Sequence, residues 1–103
     1  MQNKVKEFNK NFDSQPPSVR MLDIVSEVGE LSKEVIKSQN YGKKDFSVNN
    51  DIMLETGDVL YAILSFCNEN NIDAEKCLDM VLEKYSKRYN LNGTLDSKGK
   101  KYS

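Results

Sequence analysis

Four carboxylates stand in two short segments of the chain, and their spacing is the first feature that could do chemistry. Glu27 and Glu30 are three positions apart, and so are Glu55 and Asp58. Residues with this spacing lie on one face of an α-helix, one turn apart. If one helix ends between the two pairs and a second runs back, the four carboxylates converge. Because like charges repel at short range, such a cluster predicts a divalent cation with oxygen ligands.

Apolar residues recur with helical spacing through most of the chain, which predicts the helices that such a site needs. An opening helix carries Phe8 and Phe12 on its apolar face and is broken at residues 14–17, which include two prolines. A second helix is predicted to start at about Ser18, as its N-cap, and to end at residues 40–42, where asparagine and glycine favour a left-handed turn. This second helix carries the first carboxylate pair.

The second half of the sequence predicts two further helices. Asn49 or Asn50 can cap the third, which carries the second carboxylate pair, and Asp73 caps the fourth, whose apolar stripe runs from Ala74 to Tyr85. No repeat and no alternating strand pattern appears. The chain is therefore predicted to be a single all-α domain of the four-helix-bundle type over residues 1–90, followed by a polar, flexible tail over residues 91–103.

The composition excludes several function classes. The 103 residues carry a net charge of -1, which gives no overall attraction to nucleic acid or to a membrane surface. No apolar stretch is long enough to span a bilayer and no signal core opens the chain, so a cytoplasmic location is expected. The absence of histidine disfavours most zinc sites and the Glu-x-x-His pairs of di-iron bundles. Cys67 and Cys77 lack metal or redox spacing and are expected to be small buried hydrophobes.

Each carboxylate pair encloses a glycine, Gly29 or Gly57, in the middle of a predicted helix. Glycine costs up to about 1 kcal/mol relative to alanine at such a position. Its occurrence twice, at equivalent places, indicates that space is needed there for close helix approach or for a ligand.

Residues 26–31 (Ser-Glu-Val-Gly-Glu-Leu) and 55–60 (Glu-Thr-Gly-Asp-Val-Leu) resemble the MazG-like nucleotide pyrophosphohydrolases of the all-α NTP pyrophosphatase superfamily. The pattern of that family is Glu-Glu-x-x-Glu, a short gap, and Glu-x-x-Asp, and the resemblance covers roughly residues 8–89. Ser26 replaces the first Glu of the doublet. Since position 26 is rotated by about 100° from Glu27, the metal site need not be lost.

The resemblance implies hydrolysis of a nucleoside triphosphate between its α- and β-phosphates, giving a monophosphate and pyrophosphate. Mg²⁺, or alternatively Mn²⁺, would be held by Glu27, Glu30, Glu55 and Asp58 together with phosphate oxygens and water. Because the chain lacks histidine, a carboxylate must accept the proton of the attacking water, and the candidates are Glu27 and Glu34.

A triphosphate also requires cations and a slot for its base. Lys84 and Arg88 lie one turn apart on the fourth helix and could bind phosphate, as could Lys33 or Lys37, although a solvent-exposed face explains the first pair as well. Phe8 and Phe12 are the candidates for an aromatic wall against the base, with core packing as the alternative. The two pairs from the fourth and first helices complete the predicted substrate site.

Apolar residues outside the main stripes, such as Leu54, Leu60, Leu64 and Met80, predict surface that one chain cannot bury, and hence a homodimer or homotetramer. Two other function classes remain open. The acidic faces could belong to a non-catalytic helical module that binds a basic protein surface. A nucleic-acid binder that uses the lysines of the tail is less favoured, because the domain lacks a basic face.

Overall fold

The computed structural model describes residues 1–93, which form four helices: α1 (Gln2–Asn9), α2 (Pro17–Ser38), α3 (Asn50–Glu69) and α4 (Ala74–Asn92). No strand occurs in this part of the chain, so the all-α prediction is confirmed. Two compact units are present, a first over residues 1–72 and a second that starts at residue 73 and contains α4. The lysines of the predicted tail fall outside the described part of the chain.

The helices α2 and α3 form an antiparallel pair in the first unit. Arg20 near the start of α2 contacts Glu69 at the end of α3, whereas Glu27, two turns further along α2, lies beside Asp58. Residue numbers thus rise on one helix as they fall on the other. This arrangement carries both carboxylate pairs to the same level of the pair.

The short helix α1 also runs antiparallel to α3 and packs against its second half. The Gln2 side chain donates a hydrogen bond to the Ile72 carbonyl at 2.6 Å, and Asn68 Nδ2 donates to the Gln2 carbonyl at 3.1 Å. At the other end of α1, Asn9 Nδ2 donates to Ser65 Oγ at 2.9 Å. Polar side chains therefore fix both ends of α1 to α3.

The predicted caps are confirmed for two helices and are wrong for one. Asn49 Oδ1 accepts from the Ile52 N–H at 2.9 Å, and the Asp73 side chain accepts from the Lys76 N–H at 3.2 Å. Ser18, in contrast, already lies inside α2, which begins at Pro17 without a side-chain cap. Proline suits the first helical position because its missing N–H would have had no partner there.

The predicted opening helix is shorter than expected, since α1 ends at Asn9 and Phe12 lies beyond it. The end of α2 agrees with the prediction. Asn40, Tyr41 and Gly42 have positive φ angles of 47°, 57° and 89°, and the Tyr41 N–H returns to the Ile36 carbonyl at 3.0 Å. This left-handed turn satisfies the last carbonyls of the helix and reverses the chain.

The buried core is small and belongs to α3. Its members are Ile52, Ala62, Leu64, Ser65 and Cys67, of which Ser65 is fully buried. The placement of Leu64 among exposed apolar residues was wrong, because α1 and α2 both cover the second half of α3. Cys67 is buried as predicted. No helix among residues 1–93 is both long and apolar enough to cross a bilayer.

The prediction that Cys77 is buried was also wrong, since its side chain is exposed. Cys77 lies on α4, and within the described part of the second unit no other helix is present to cover it. A cysteine on an apolar stripe is buried only where another element packs on that stripe.

Candidate metal centre

Three carboxylates from α2 and α3 converge at one place in the first unit. One oxygen each of Glu27, Glu55 and Asp58 lies within 4.8 Å of the other two. Glu27 and Glu55 are half-buried, whereas Asp58 is exposed. Neighbouring ligands of an octahedral Mg²⁺ are about 3 Å apart and opposite ones about 4.2 Å, so the three oxygens would have to move closer together to bind one ion. The donor set, all carboxylate oxygens, fits magnesium or manganese.

The charges around Glu55 also favour a bound cation. Desolvation raises the pKa of Glu55 from its ordinary value, and the negative charges of Asp58, Glu27, Glu30 and Glu34 raise this pKa further. The contributions of these four carboxylates show that Glu55 lies in a negative environment. A divalent cation bound here would reverse that effect, because it favours the ionised form.

The other two predicted carboxylates lie close to this cluster but differ from each other. Glu30 is exposed and is not among the three whose oxygens converge, although its charge acts on Glu55. Glu34 is half-buried, and its Oε1 lies 3.8 Å from Lys37 Nζ. Ser26, at the position where the family has glutamate, is exposed.

The two mid-helix glycines border open space. A Cβ atom added at Gly29 or at Gly57 would meet no other group within 4 Å. Close approach of helices within the first unit therefore does not explain these glycines. The open space beside them would accommodate a ligand or another part of the protein.

The aromatic residues predicted to hold a base lie on the surface of the first unit. Phe8 and Phe12 are 58% and 60% exposed, so the alternative that they fill the core is wrong. Their ring centroids are 5.4 Å apart, and Phe8 also meets Tyr61 of α3 edge-on, with centroids 6.1 Å apart. Tyr61 was not singled out from the sequence, although it follows Asp58 by one helical turn.

Tyr61 is held by a hydrogen-bond chain that the sequence did not reveal. Its hydroxyl donates to Asn9 Oδ1 at 2.6 Å, while Asn9 Nδ2 donates to Ser65 Oγ at 2.9 Å. Because Ser65 is fully buried, these two hydrogen bonds connect the exposed ring of Tyr61 to the buried core of α3. The spacing of the sequence gave no signal for it, since Asn9 is 52 and 56 positions from its partners.

A second group of charges joins α2 to α3 near the opposite end of α3. Arg20 donates from Nε to Glu69 Oε1 at 3.0 Å and from Nη2 to Glu69 Oε2 at 3.1 Å, and the Gln15 N–H also donates to Oε2 at 3.1 Å. Hydrogen bonding by Arg20, together with Gln15 and the arginine charge, lowers the pKa of Glu69 despite its partial burial. Bidentate pairs of this kind fix orientation as well as charge.

The predicted phosphate ligands of the fourth helix belong to the second unit. Lys84 Nζ and the Arg88 guanidinium carbon lie 5.3 Å and 5.9 Å from the centre of the Tyr85 ring. Both side chains also line an open groove of about 420 Å³ along α4. The role of Lys84 and Arg88 in binding phosphate stays a prediction, because they belong to the second unit and the acidic cluster belongs to the first.

The described part of the chain is all-α, and two of its helices, which run antiparallel, bring three carboxylates into one acidic cluster. Residues 15–91 match the family described as MazG nucleotide pyrophosphohydrolase domain. The chain belongs to this family.

Among curated proteins, the chain is similar to the uncharacterized protein YpjD of Bacillus subtilis (strain 168). The two are 29% identical over 99 residues, which cover 93% of this chain and 86% of YpjD. No solved structure matches the chain.

Proposed function

We propose that the protein is a divalent-metal-dependent pyrophosphohydrolase that cleaves a ribo- or deoxyribonucleoside triphosphate between its α- and β-phosphates. The observation that carries the proposal is the convergence of Glu27, Glu55 and Asp58 within a chain of the MazG family. A cation would relieve the repulsion among these three carboxylates, and a triphosphate needs such a cation to neutralise its own charge. One site therefore serves both requirements.

Glu27, Glu55 and Asp58 would hold Mg²⁺ or Mn²⁺, and Glu30 would add a fourth carboxylate charge from the exposed side of α2. When bound, the ion neutralises the phosphate oxygens and makes water easier to deprotonate. Since Glu27 lies in the three-carboxylate cluster, Glu34 is the better candidate to accept the proton of water. It is half-buried, close enough to raise the pKa of Glu55, and paired with Lys37 at 3.8 Å.

The remaining residues predicted for the substrate keep their proposed roles. Phe8 and Phe12 offer exposed rings to the base. Lys33 and Lys37 on α2, and Lys84 and Arg88 on α4, are proposed to bind the outer phosphates. A cytoplasmic location, where such triphosphates are made, remains part of the proposal.

We also propose that the protein acts as a homodimer or homotetramer. Large apolar side chains on α2 and α3 are exposed in the first unit, with Leu22 and Leu54 each 69% and Val25 62% exposed. The mid-helix glycines add open space beside them. Large apolar side chains left exposed in this number favour burial against another copy of the chain. Light scattering at micromolar concentration should give a multiple of the 11.8 kDa chain mass, and a monomer would refute this assembly.

Product analysis tests the activity. Purified protein with Mg²⁺ should convert at least one common nucleoside triphosphate to its monophosphate, with one pyrophosphate released per turnover. Chromatography of the nucleotide and a pyrophosphate assay without added pyrophosphatase follow the two products. Diphosphate and orthophosphate as first products, or no hydrolysis with Mg²⁺ or Mn²⁺, would favour the non-catalytic helical interaction module with acidic faces.

A further inference from the structure

The two directions along the α2–α3 pair from the acidic cluster differ in chemistry. Toward the α2–α3 turn, the chain places Lys33 and Lys37 on α2 and Lys43 and Lys44 in the turn itself, all exposed, with Asp45 following. In the opposite direction, the strong cation is Arg20, which is already engaged by Glu69 in two hydrogen bonds. Within α2, α3 and the turn between them, the exposed lysines therefore all lie on the turn side, and one of them, Lys37, is 3.8 Å from Glu34 Oε1.

The opposite direction carries aromatic rings instead. Tyr61 lies one turn beyond Asp58 on α3, and the Phe8 ring meets it edge-on. The Tyr61 hydroxyl donates to Asn9, which in turn donates to the buried Ser65, so the ring is anchored at its hydroxyl while remaining 37% exposed. A fixed, partly exposed ring supplies a stacking face at low entropic cost.

The distances from the acidic cluster to Tyr61 and to the lysines of the turn suit a nucleoside triphosphate. In a nucleoside triphosphate a single sugar separates the α-phosphate from the base, a span comparable with one or two helical turns of about 5.4 Å each. An α-phosphate at Glu55 and Asp58 would bring the base to the level of Tyr61. The β- and γ-phosphates would then extend toward the lysines of the turn.

We propose that the substrate lies along the α2–α3 pair in this direction, with its base stacked on Tyr61 beside Phe8 and its outer phosphates toward the turn. Asn9 is a positioning residue, because it acts on the base only through the Tyr61 hydroxyl. This inference rests on the proposed function for the identity of the ligand. It adds the direction of binding and two residues, Tyr61 and Asn9.

Equilibrium binding with Mg²⁺ tests the inference without hydrolysis. The ligands are the α,β-methylene analogues of the common nucleoside triphosphates and inorganic tripolyphosphate, which has the phosphates but no base. Tyr61→Leu should weaken the analogues that bind by about tenfold or more, and leave tripolyphosphate within about twofold. Tyr61→Phe keeps the ring and loses only the hydrogen bond to Asn9, so its loss should be smaller.

Two further variants complete the design. The double variant Lys43→Gln and Lys44→Gln should weaken tripolyphosphate and the nucleotide analogues alike, because both ligands carry the outer phosphates. Tyr89→Leu removes an exposed tyrosine from α4 and serves as the matched control, with no change for either ligand. Circular dichroism melting of every variant separates a binding loss from unfolding.

The outcomes distinguish this inference from the proposed function. Binding of the analogues with the expected pattern but no cleavage of any triphosphate would refute the hydrolase and leave the binding direction supported. Cleavage by the parent, with a Tyr61→Leu variant that loses both ligands equally or neither, would refute the base contact. A lysine double variant that binds both ligands as tightly as the parent would refute the direction toward the turn.

Discussion

The helices α2 and α3 meet at two groups of charged side chains, and the two groups have opposite character. At one, Glu69 receives hydrogen bonds from Arg20 and the Gln15 N–H, which lower the pKa of its carboxyl. At the other, Glu55 faces carboxylates, and partial burial and then Asp58 raise its pKa. Fourteen residues of α3, about 21 Å, separate them. The balanced group holds the helices together, whereas the unbalanced one is suited to an ion that the chain does not supply.

The largest expected effect is a difference in turnover between variants of Glu55 and Glu69. Glu55→Gln should lower the turnover of the best triphosphate by about 100-fold or more, because it removes a charge that helps to hold the ion among several phosphate charges. Glu69→Gln should keep turnover within about threefold, since it lies at the balanced group. Initial rates of pyrophosphate release at saturating Mg²⁺ measure both. Equal losses in the two variants would mean that the acidic cluster has no special part in catalysis.

The next effect concerns stability in the presence of metal. An ion that binds only the folded state adds about 2.7 kcal/mol of stability at 100 times its dissociation constant. Mg²⁺ should therefore raise the melting temperature of the parent and of Glu69→Gln, and should do so much less for Asp58→Asn. Thermal melts over a Mg²⁺ series, with K⁺ at matched ionic strength as the control, give the comparison. A rise in Asp58→Asn as large as in the parent would exclude Asp58 as a ligand.

The sequence predicted the acidic group better than the balanced one, and the reason is physical. Helical spacing places Glu55 and Asp58 on one face, and the turn between helices carries Glu27 to their level, so local periodicity was enough. Arg20 and Glu69 are 49 positions apart, and no local pattern links them. The Asn9–Tyr61 hydrogen bond was not predicted for the same reason, since its partners are 52 positions apart. The predicted α1 was too long, because apolar spacing alone does not show where a helix ends.

The sequence also could not predict the direction in which a side chain points. Spacing treats Glu27 and Glu30 as equivalent, yet the structure has Glu27 half-buried in the cluster and Glu30 exposed beside it. Burial likewise differs for Cys67 and Cys77, which the apolar pattern could not separate. These differences depend on which neighbouring helix covers a face.

The two groups should also give metal-free stability opposite pH dependences. The folded pKa of Glu69 lies below its ordinary value of 4.5, so the stability from its ion pair is present above about pH 4.5 and is lost as the pH falls through the folded pKa. The folded pKa of Glu55 lies above 4.5, so its ionisation destabilises the fold as the pH rises from 4.5 through that pKa. Acidification should first stabilise and then destabilise the protein.

Urea unfolding from pH 3 to 8 without divalent ions measures this dependence. Glu69→Gln should lose roughly 1–2 kcal/mol at neutral pH and should show less of the acid-side decline. Glu55→Gln should remove the stabilisation on mild acidification and keep the acid-side decline. The assignment of the two pKa shifts would be contradicted if each variant lost the other's part of the profile.

The smallest expected effect concerns Glu30, which lies beside the acidic group but outside its three converging oxygens. Its charge contributes to the raised pKa of Glu55, so it acts on the cluster across space. A partly screened interaction of this kind should change metal affinity by roughly fivefold. Glu30→Gln should therefore weaken Mg²⁺ binding by about fivefold, whereas Glu27→Gln should weaken it far more. Calorimetric titration measures both, with Asp23→Asn, an exposed carboxylate on the same helix, as the control. Equal losses for Glu30→Gln and Glu27→Gln would show that Glu30 turns inward and binds the ion directly, as its spacing alone had predicted.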